Sequence, residues 1–184
     1  AAEARGRIVL FDAPWQGYGQ AVAFRSRGAE AAARAGAVGA LVRSVAPVSL
    51  STPHTGMMRR TEGVPTVPAA AVTLEDAATL RRLSDAGVPM RVRMRMGARD
   101  GGLVPAATVV GEVRGRERPD EVVVLGCHLD TWDVGPGAQD DGAGCVAVLE
   151  AGALVAAERP RRPLRVVLFA GEETGVHGGR AYTQ

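Results

Sequence analysis

Two apolar runs, each ending in a burst of ionisable residues, constrain this chain more than any other feature. The first, Val122-Val123-Val124-Leu125, closes in Gly126 and Cys127 and delivers His128 and Asp130. The second, Val166 to Phe169, closes in Gly171, Glu172 and Glu173. Between them a Gly/Pro-rich loop passes through Asp140 and Asp141 into an apolar helix. Continuous runs of this kind read as strands buried on both faces of a parallel sheet. Open α/β sheets place their sites at the carboxyl ends of such strands. The expected fold class is therefore α/β, with the chemistry at these strand ends.

A histidine brought together with several carboxylates suits a divalent cation of borderline character, zinc above all. In His128-x-Asp130 the two side chains point the same way off an extended backbone. Asp130 is then placed to accept a hydrogen bond from the imidazole nitrogen that does not bind metal, fixing the ring. Asp140 offers two oxygens and can bridge two ions. The Glu172–Glu173 pair allows a division of labour, in which one binds metal and the other takes a proton from water. A cation lowers the pKa of that water towards roughly 7, so a carboxylate suffices as base at neutral pH. Each piece also has an ordinary reading. A lone His-x-Asp is common, Asp-Asp-Gly before a helix is often an N-cap, and a Glu-Glu pair is usually a solvated face. Three such pieces in this order, each at a strand end or helix start, are hard to explain as accident.

The stretches GCHLDTWDVGPGAQDDGAG and FAGEETGVHGGRAY resemble the co-catalytic zinc peptidase family of aminopeptidases and glutamate carboxypeptidases. The resemblance extends upstream through LVRSVAPVSLSTPHTG, GVPTVPAAAVTLEDA and RMRMGAR, and so covers nearly the whole chain. It implies a zinc-dependent exopeptidase, a dipeptidase or aminopeptidase acting on peptides, with two zinc ions in the complete site. By position, His128 would bind one zinc, Asp140 would bridge both and Glu173 would bind the other. Asp130 would orient His128, and Glu172 would be the general base. A cis Asp140–Asp141 peptide is also implied. The family draws two further ligands, an Asp and a His, from later in the peptidase domain. His177 comes too early to be that histidine, so these residues alone are expected to bind zinc weakly and hydrolyse little. The resemblance further implies a secreted or periplasmic location and a homodimer.

Two other readings compete. An aminoacylase-like metallopeptidase also joins His-x-Asp to Glu-Glu, but usually has Lys-Gly after the bridging Asp, where this chain has Asp141-Gly142. A non-catalytic interaction module, as in the transferrin-receptor relatives, predicts eroded ligands, whereas His128, Asp140, Glu172 and Glu173 are all present.

Composition narrows the classes. The 184 residues make one large or two small domains. A net charge of +2 gives no case for nucleic acid or an acidic membrane. All 22 basic residues are Arg, and Lys and Asn are absent, a pattern that GC-rich coding explains better than any Arg-specific function. Without Asn there is no N-glycosylation site. No run of 18 apolar residues suggests a membrane span. The chain shows no signal peptide and starts without Met, as an excised or mature piece would. Cys127 and Cys145, each among apolar neighbours, are expected to be buried free thiols.

Along the chain, Arg7 to Phe11, Ala21 to Ala35 and Val38 to Val42 read as strand, helix and strand, with Gly36 at the helix end. This unit, with GAVGALV in its third piece, resembles a protease-associated (PA) domain. After a loop from Ser44 to Gly63, Val67 to Val72 is a strand and Thr73 caps a helix from Leu74 to Ala86. Arg91 to Met96 alternate, which predicts a strand with one wet face. Its Arg residues are a solvated face rather than a nucleic-acid patch, since no aromatics interleave them. Gly97 to Gly102 is the expected boundary, giving a PA domain over 1–98 and the first part of the peptidase domain over 99–184. Ala107 to Arg114 and Glu121 to Gly126 are expected to be adjacent strands. The helix Gly142–Glu158 is expected to pack through Cys145, Val148, Leu149, Gly152 and Val155. Gly175 and Gly178 serve close packing of the terminal helix. Trp132 is expected to pack beneath the loop, and Asp133 to cap it. His54, in Thr52-Pro53-His54, is a weak candidate for meeting a substrate end, and more simply a turn-stabilising residue.

Overall fold

The structure is a computed structural model that describes residues 2–54, 56–99, 101–132 and 135–184. The expected capping role of Asp133 lies outside those residues. The chain forms two compact units, 1–100 and 101–184. Among the described residues no helix is long and apolar enough to cross a membrane.

The first unit contains β1 (Ile8–Phe11), α1 (Tyr18–Arg34), β2 (Gly39–Arg43), β3 (Ala69–Val72) and α2 (Leu74–Asp85). Its strands form a parallel sheet in the order β1-β2-β3. Parallel neighbours need long crossovers, and α1 supplies one between β1 and β2. Alanine dominates the core, where Ala32, Ala37 and Ala40 pack with Val9, Phe11 and Val67. Side chains this small let the helix approach the sheet closely. Gly36 ends α1 with φ +78°, a conformation an L side chain resists. Thr73 caps α2 through its Oγ1, which accepts from the Asp76 amide at 2.9 Å.

Arg91–Met96 has no regular secondary structure and joins no ladder among the described residues. The expected strand is therefore absent. Met94 alone of the six is half-buried, and its Sδ lies against Gly39. One anchored side chain satisfies the alternation, so no sheet edge is needed.

The second unit contains β4 (Val109–Val113), β5 (Val123–His128), α3 (Gly144–Ala157), β6 (Leu164–Phe169) and α4 (His177–Tyr182). Its sheet runs β4-β6-β5, with β6 parallel to β5 and antiparallel to β4. The strands expected to be adjacent, β4 and β5, are thus separated by β6. The chain goes from β5 through α3 to reach the middle position, a pairing that no local pattern encodes. Among the described residues β5 therefore lies at the edge of this sheet. Val122 and Val124 are 37% and 46% exposed, not buried on both faces.

α3 packs on β5 and β6, and Gly152 marks the closest approach. A Cβ there would lie 2.9 Å from Val166 Cγ2. Cys145, Val148 and Ala151 share the covered side, whereas Leu149 and Val155 are exposed, contrary to expectation. The helix is apolar nearly all round, so its sequence does not single out the covered stripe.

Cys127 and Cys145 are joined in a disulfide across 18 residues, with Cα atoms 5.1 Å apart. The expectation of free thiols is wrong. One sulfur lies on the α3-facing side of β5 and the other in the first turn of α3, so packing the helix on the sheet brings them into bonding range.

Gly178 seats α4. A Cβ there would meet the Ala170 carbonyl oxygen at 2.5 Å and Thr108 Oγ1 at 2.6 Å. Phe169 and Tyr182 stack edge to face at 5.7 Å above that seat. Gly178→Ala is expected to destabilise the second unit by about 1–3 kcal/mol, measured by urea denaturation. An unchanged midpoint would show that α4 moves freely.

Candidate metal centre

The parallel register aligns Cys127 with Leu168 and His128 with Phe169. The next amide, of Leu129, donates to the Phe169 carbonyl at 2.8 Å. The two segments therefore leave the sheet side by side, and the residues after β5 must meet those after β6.

Asp130 makes that meeting specific. Its Oδ1 accepts from the Glu172 amide at 2.9 Å and its Oδ2 from the Glu173 amide at 3.0 Å. Burial pushes this carboxyl up, but hydrogen bonds from the Glu172, Glu173 and Asp130 amides outweigh it and hold its pKa below the ordinary value. The contact expected of Asp130, its carboxylate on the imidazole, is not made. Its Oδ1 is 3.8 Å from His128 Nδ1, while its main-chain oxygen takes that place at 2.9 Å. Both carboxylate oxygens are committed to the Glu172–Glu173 turn, and the carbonyl fixes the ring instead.

His128 thus sits between acceptors. Nδ1 faces the Asp130 carbonyl and Nε2 faces Asp140 Oδ1 at 2.9 Å. A carbonyl only accepts, so Nδ1 carries a proton. A carboxylate also only accepts, so something must be supplied between Nε2 and Asp140. A second proton or a metal cation meets that need. Burial, the largest influence on this ring, opposes charge. The Asp130 hydrogen bond, the Asp140 contact and the charges of Glu172 and Asp141 together overcome it and raise the pKa. The imidazole is 13% exposed and Asp140 77% exposed, so the pair opens towards solvent on the carboxylate side.

Glu172 Oε2 lies 3.9 Å from His128 Nε2. Burial raises the Glu173 pKa, with further upward contributions from the Asp140 and Glu172 charges. A hydrogen bond from Trp132 and the charge of His128 act against them. Glu173 is therefore within electrostatic reach of the same group. His128 thus meets Asp140 directly and has Glu172 nearby, while Glu173 stands within reach of their charges. That donor set, one imidazole nitrogen and several carboxylate oxygens, fits a borderline or hard divalent cation.

The loop carrying Asp140 is shaped by Gly137, whose φ is +65° and whose carbonyl accepts from the Gly142 amide at 2.8 Å. Asp140 and Asp141 leave helical angles within the turn Ala138–Ala143, and the peptide between them is cis. Asp141 Oδ2 accepts from the His128 amide at 3.0 Å. Neither that bond nor the Trp132–Glu173 contact is legible in the sequence beyond the closeness of these residues to the motif. His54 belongs to the first unit. Its amide donates to Ser44 Oγ at 2.9 Å, and Nδ1 lies 2.9 Å from Arg25 Nη1. These contacts fit the turn-stabilising reading.

This geometry makes two measurements decisive. In metal-free protein the His128 imidazole should titrate by NMR above the usual midpoint of about 6.5. The stability this charge contributes is present below about 6.5 and lost as pH rises through the raised value. Zinc should abolish the titration, and its affinity should rise with pH as the competing proton leaves. A midpoint at or below the ordinary one would contradict the paired arrangement. Asp130→Asn leaves one acceptor for two amides. It should cost about 1–2 kcal/mol at neutral pH and speed hydrogen exchange at the Glu172 and Glu173 amides. Ionised Asp130 contributes stability above the ordinary carboxylate range that is lost as pH falls through its depressed pKa. The variant should lack that acid-side loss, and equal exchange rates would show that the tie is dispensable.

Residues 108–184 match the model of peptidase family M28. The chain is 41% identical over 186 residues to carboxypeptidase Q from Homo sapiens, covering 100% of this chain and 39% of that protein. It therefore spans about two fifths of the length of that relative. Among solved structures, a peptidase M28 precursor from Shewanella amazonensis superposes with a TM-score of 0.88 at 38% identity, covering 100% of this chain and 43% of that one. A zinc aminopeptidase from Bacillus subtilis, 18% identical, shares the fold with a TM-score of 0.60 over 99% of this chain and 40% of its own. Residues 108–184 thus form a peptidase family M28 domain, and the chain is similar along its whole length to carboxypeptidase Q.

Proposed function

We propose that this chain is part of a zinc-dependent exopeptidase of the carboxypeptidase Q kind, cleaving a dipeptide or the end of a short peptide. The observation that carries the proposal is the contact of His128 with Asp140, and its nearness to Glu172, where β5 and β6 end together. His128 would hold one ion through Nε2, Glu173 the other, and Asp140 both. Two further ligands, an Asp and a His from a later part of the domain, are implied by the resemblance. Zinc, when bound, supplies an acidified water and a Lewis acid for the scissile carbonyl.

The chain's own residues do the rest. Asp130 holds the Glu172–Glu173 turn by its two amides, so the backbone that carries both carboxylates keeps a fixed position. Glu172 is the general base, taking a proton from the attacking water and returning it to the departing amine. Trp132 steadies the Glu173 carboxylate. Residues 1–98 would form the PA domain, a reading that the parallel β1–α1–β2 unit supports. A secreted or periplasmic location is supported by the disulfide, which persists in oxidising compartments. A homodimer rests on the resemblance alone.

In a chain extended to the length of its relatives, Glu172→Gln should retain zinc and lose about 10²–10⁴-fold in kcat on a dipeptide. Turnover within a factor of a few of the parent would remove Glu172 from the role of base.

A further inference from the structure

The disulfide joins two residues that flank the candidate centre without belonging to it. Cys127 immediately precedes His128, and Cys145 follows the Asp140–Asp141 turn. The ligand-type atoms of Cys127, Asp141 and Cys145 all lie within 4.8 Å of one another. Cys127 is buried, and the other two are half-buried. Asp141 reaches inward over Gly144, where a Cβ would lie only 2.0 Å from Asp141 Oδ1. The absence of a side chain at 144 thus makes the space that this carboxylate occupies beside the sulfurs. Cys145 Sγ is 3.2 Å from the His128 carbonyl oxygen. A thiol donates at that distance, whereas a disulfide sulfur has no proton to give.

We propose that opening this disulfide turns Cys127, Asp141 and Cys145 into a second, sulfur-rich cation site, distinct from the imidazole–carboxylate centre beside it. Two thiolates and one carboxylate oxygen suit a soft or borderline divalent ion, such as cadmium or zinc. A dithiol reductant supplies two electrons and two protons. The S–S bond breaks, each cysteine gains an S–H, and the dithiol closes to its own disulfide. Cation binding then forms two metal–sulfur bonds and releases those protons to water. The fold already holds the three donors together through the β5–α3 packing and the Asp141 bond to the His128 amide. Access to the site is thereby controlled by redox state. The inference does not depend on peptidase activity.

Cadmium chloride titrated into the oxidised chain should give no thiolate-to-cadmium charge-transfer absorption. The same chain, reduced with a dithiol that is then removed without air, should give a band saturating at one ion per chain. Cys145→Ala should abolish the band, Asp141→Ala should shift its midpoint to higher cadmium, and His128→Ala should leave it in place. Should Cys145→Ala not fold, reduced chain alkylated with iodoacetamide is the substitute, and it should also lack the band. A reduced chain without the band would overturn the proposal. So would a band that survives loss or alkylation of the cysteines, an unmoved midpoint in Asp141→Ala, or loss of the band in His128→Ala.

Discussion

A ring held between two oxygens that can only accept is the constraint on which the candidate centre depends. The Asp130 carbonyl fixes one nitrogen of His128, and the Asp140 carboxylate faces the other. Such an arrangement needs a further proton shared by ring and carboxylate, or a metal cation that engages both. It is built from main-chain geometry rather than from long flexible side chains. The register of β5 on β6 sets where His128 ends the strand. The Asp141 bond to the His128 amide fixes the loop that carries Asp140. Backbone contacts thus set where the segments carrying these donors leave the sheet.

Asp130 links that ring to the acid pair. Its carbonyl serves the imidazole, and its carboxylate gathers the Glu172 and Glu173 amides from the neighbouring strand end. One residue therefore couples the orientation of a nitrogen ligand to the placement of two carboxylates. Those carboxylates repel each other and Asp140, and burial adds to the cost of charging Glu173. A bound cation would relieve that crowding, which is the physical sense in which the group is prepared for metal.

Much of this was legible in the chain, because apolar runs ending in charged residues mark buried strands with reactive ends. The His128–Asp130, Asp140 and Glu172–Glu173 pieces were recognisable from order and spacing, and so were the Thr73 cap and the glycine that ends α1. What the sequence hid was non-local. Periodicity cannot say that β6 enters between β4 and β5. The disulfide was hidden for a related reason. Each cysteine sits on a covered face, but the register of α3 on the sheet decides that the faces meet. Arg91–Met96 alternates as a strand does, yet a single buried methionine is enough to explain the pattern. The role of Asp130 was half visible. The sequence put it beside His128, while the amides that claim its carboxylate lie more than forty residues away (separations of 42 and 43).

The most direct test of the account is anomalous diffraction at the zinc edge from crystals of this chain soaked in zinc. The account predicts an anomalous peak bonded to His128 Nε2 and to an Asp140 oxygen, with Glu173 or Glu172 turned towards it. A chain whose zinc sits elsewhere, with His128 Nε2 still resting directly on Asp140, would contradict it.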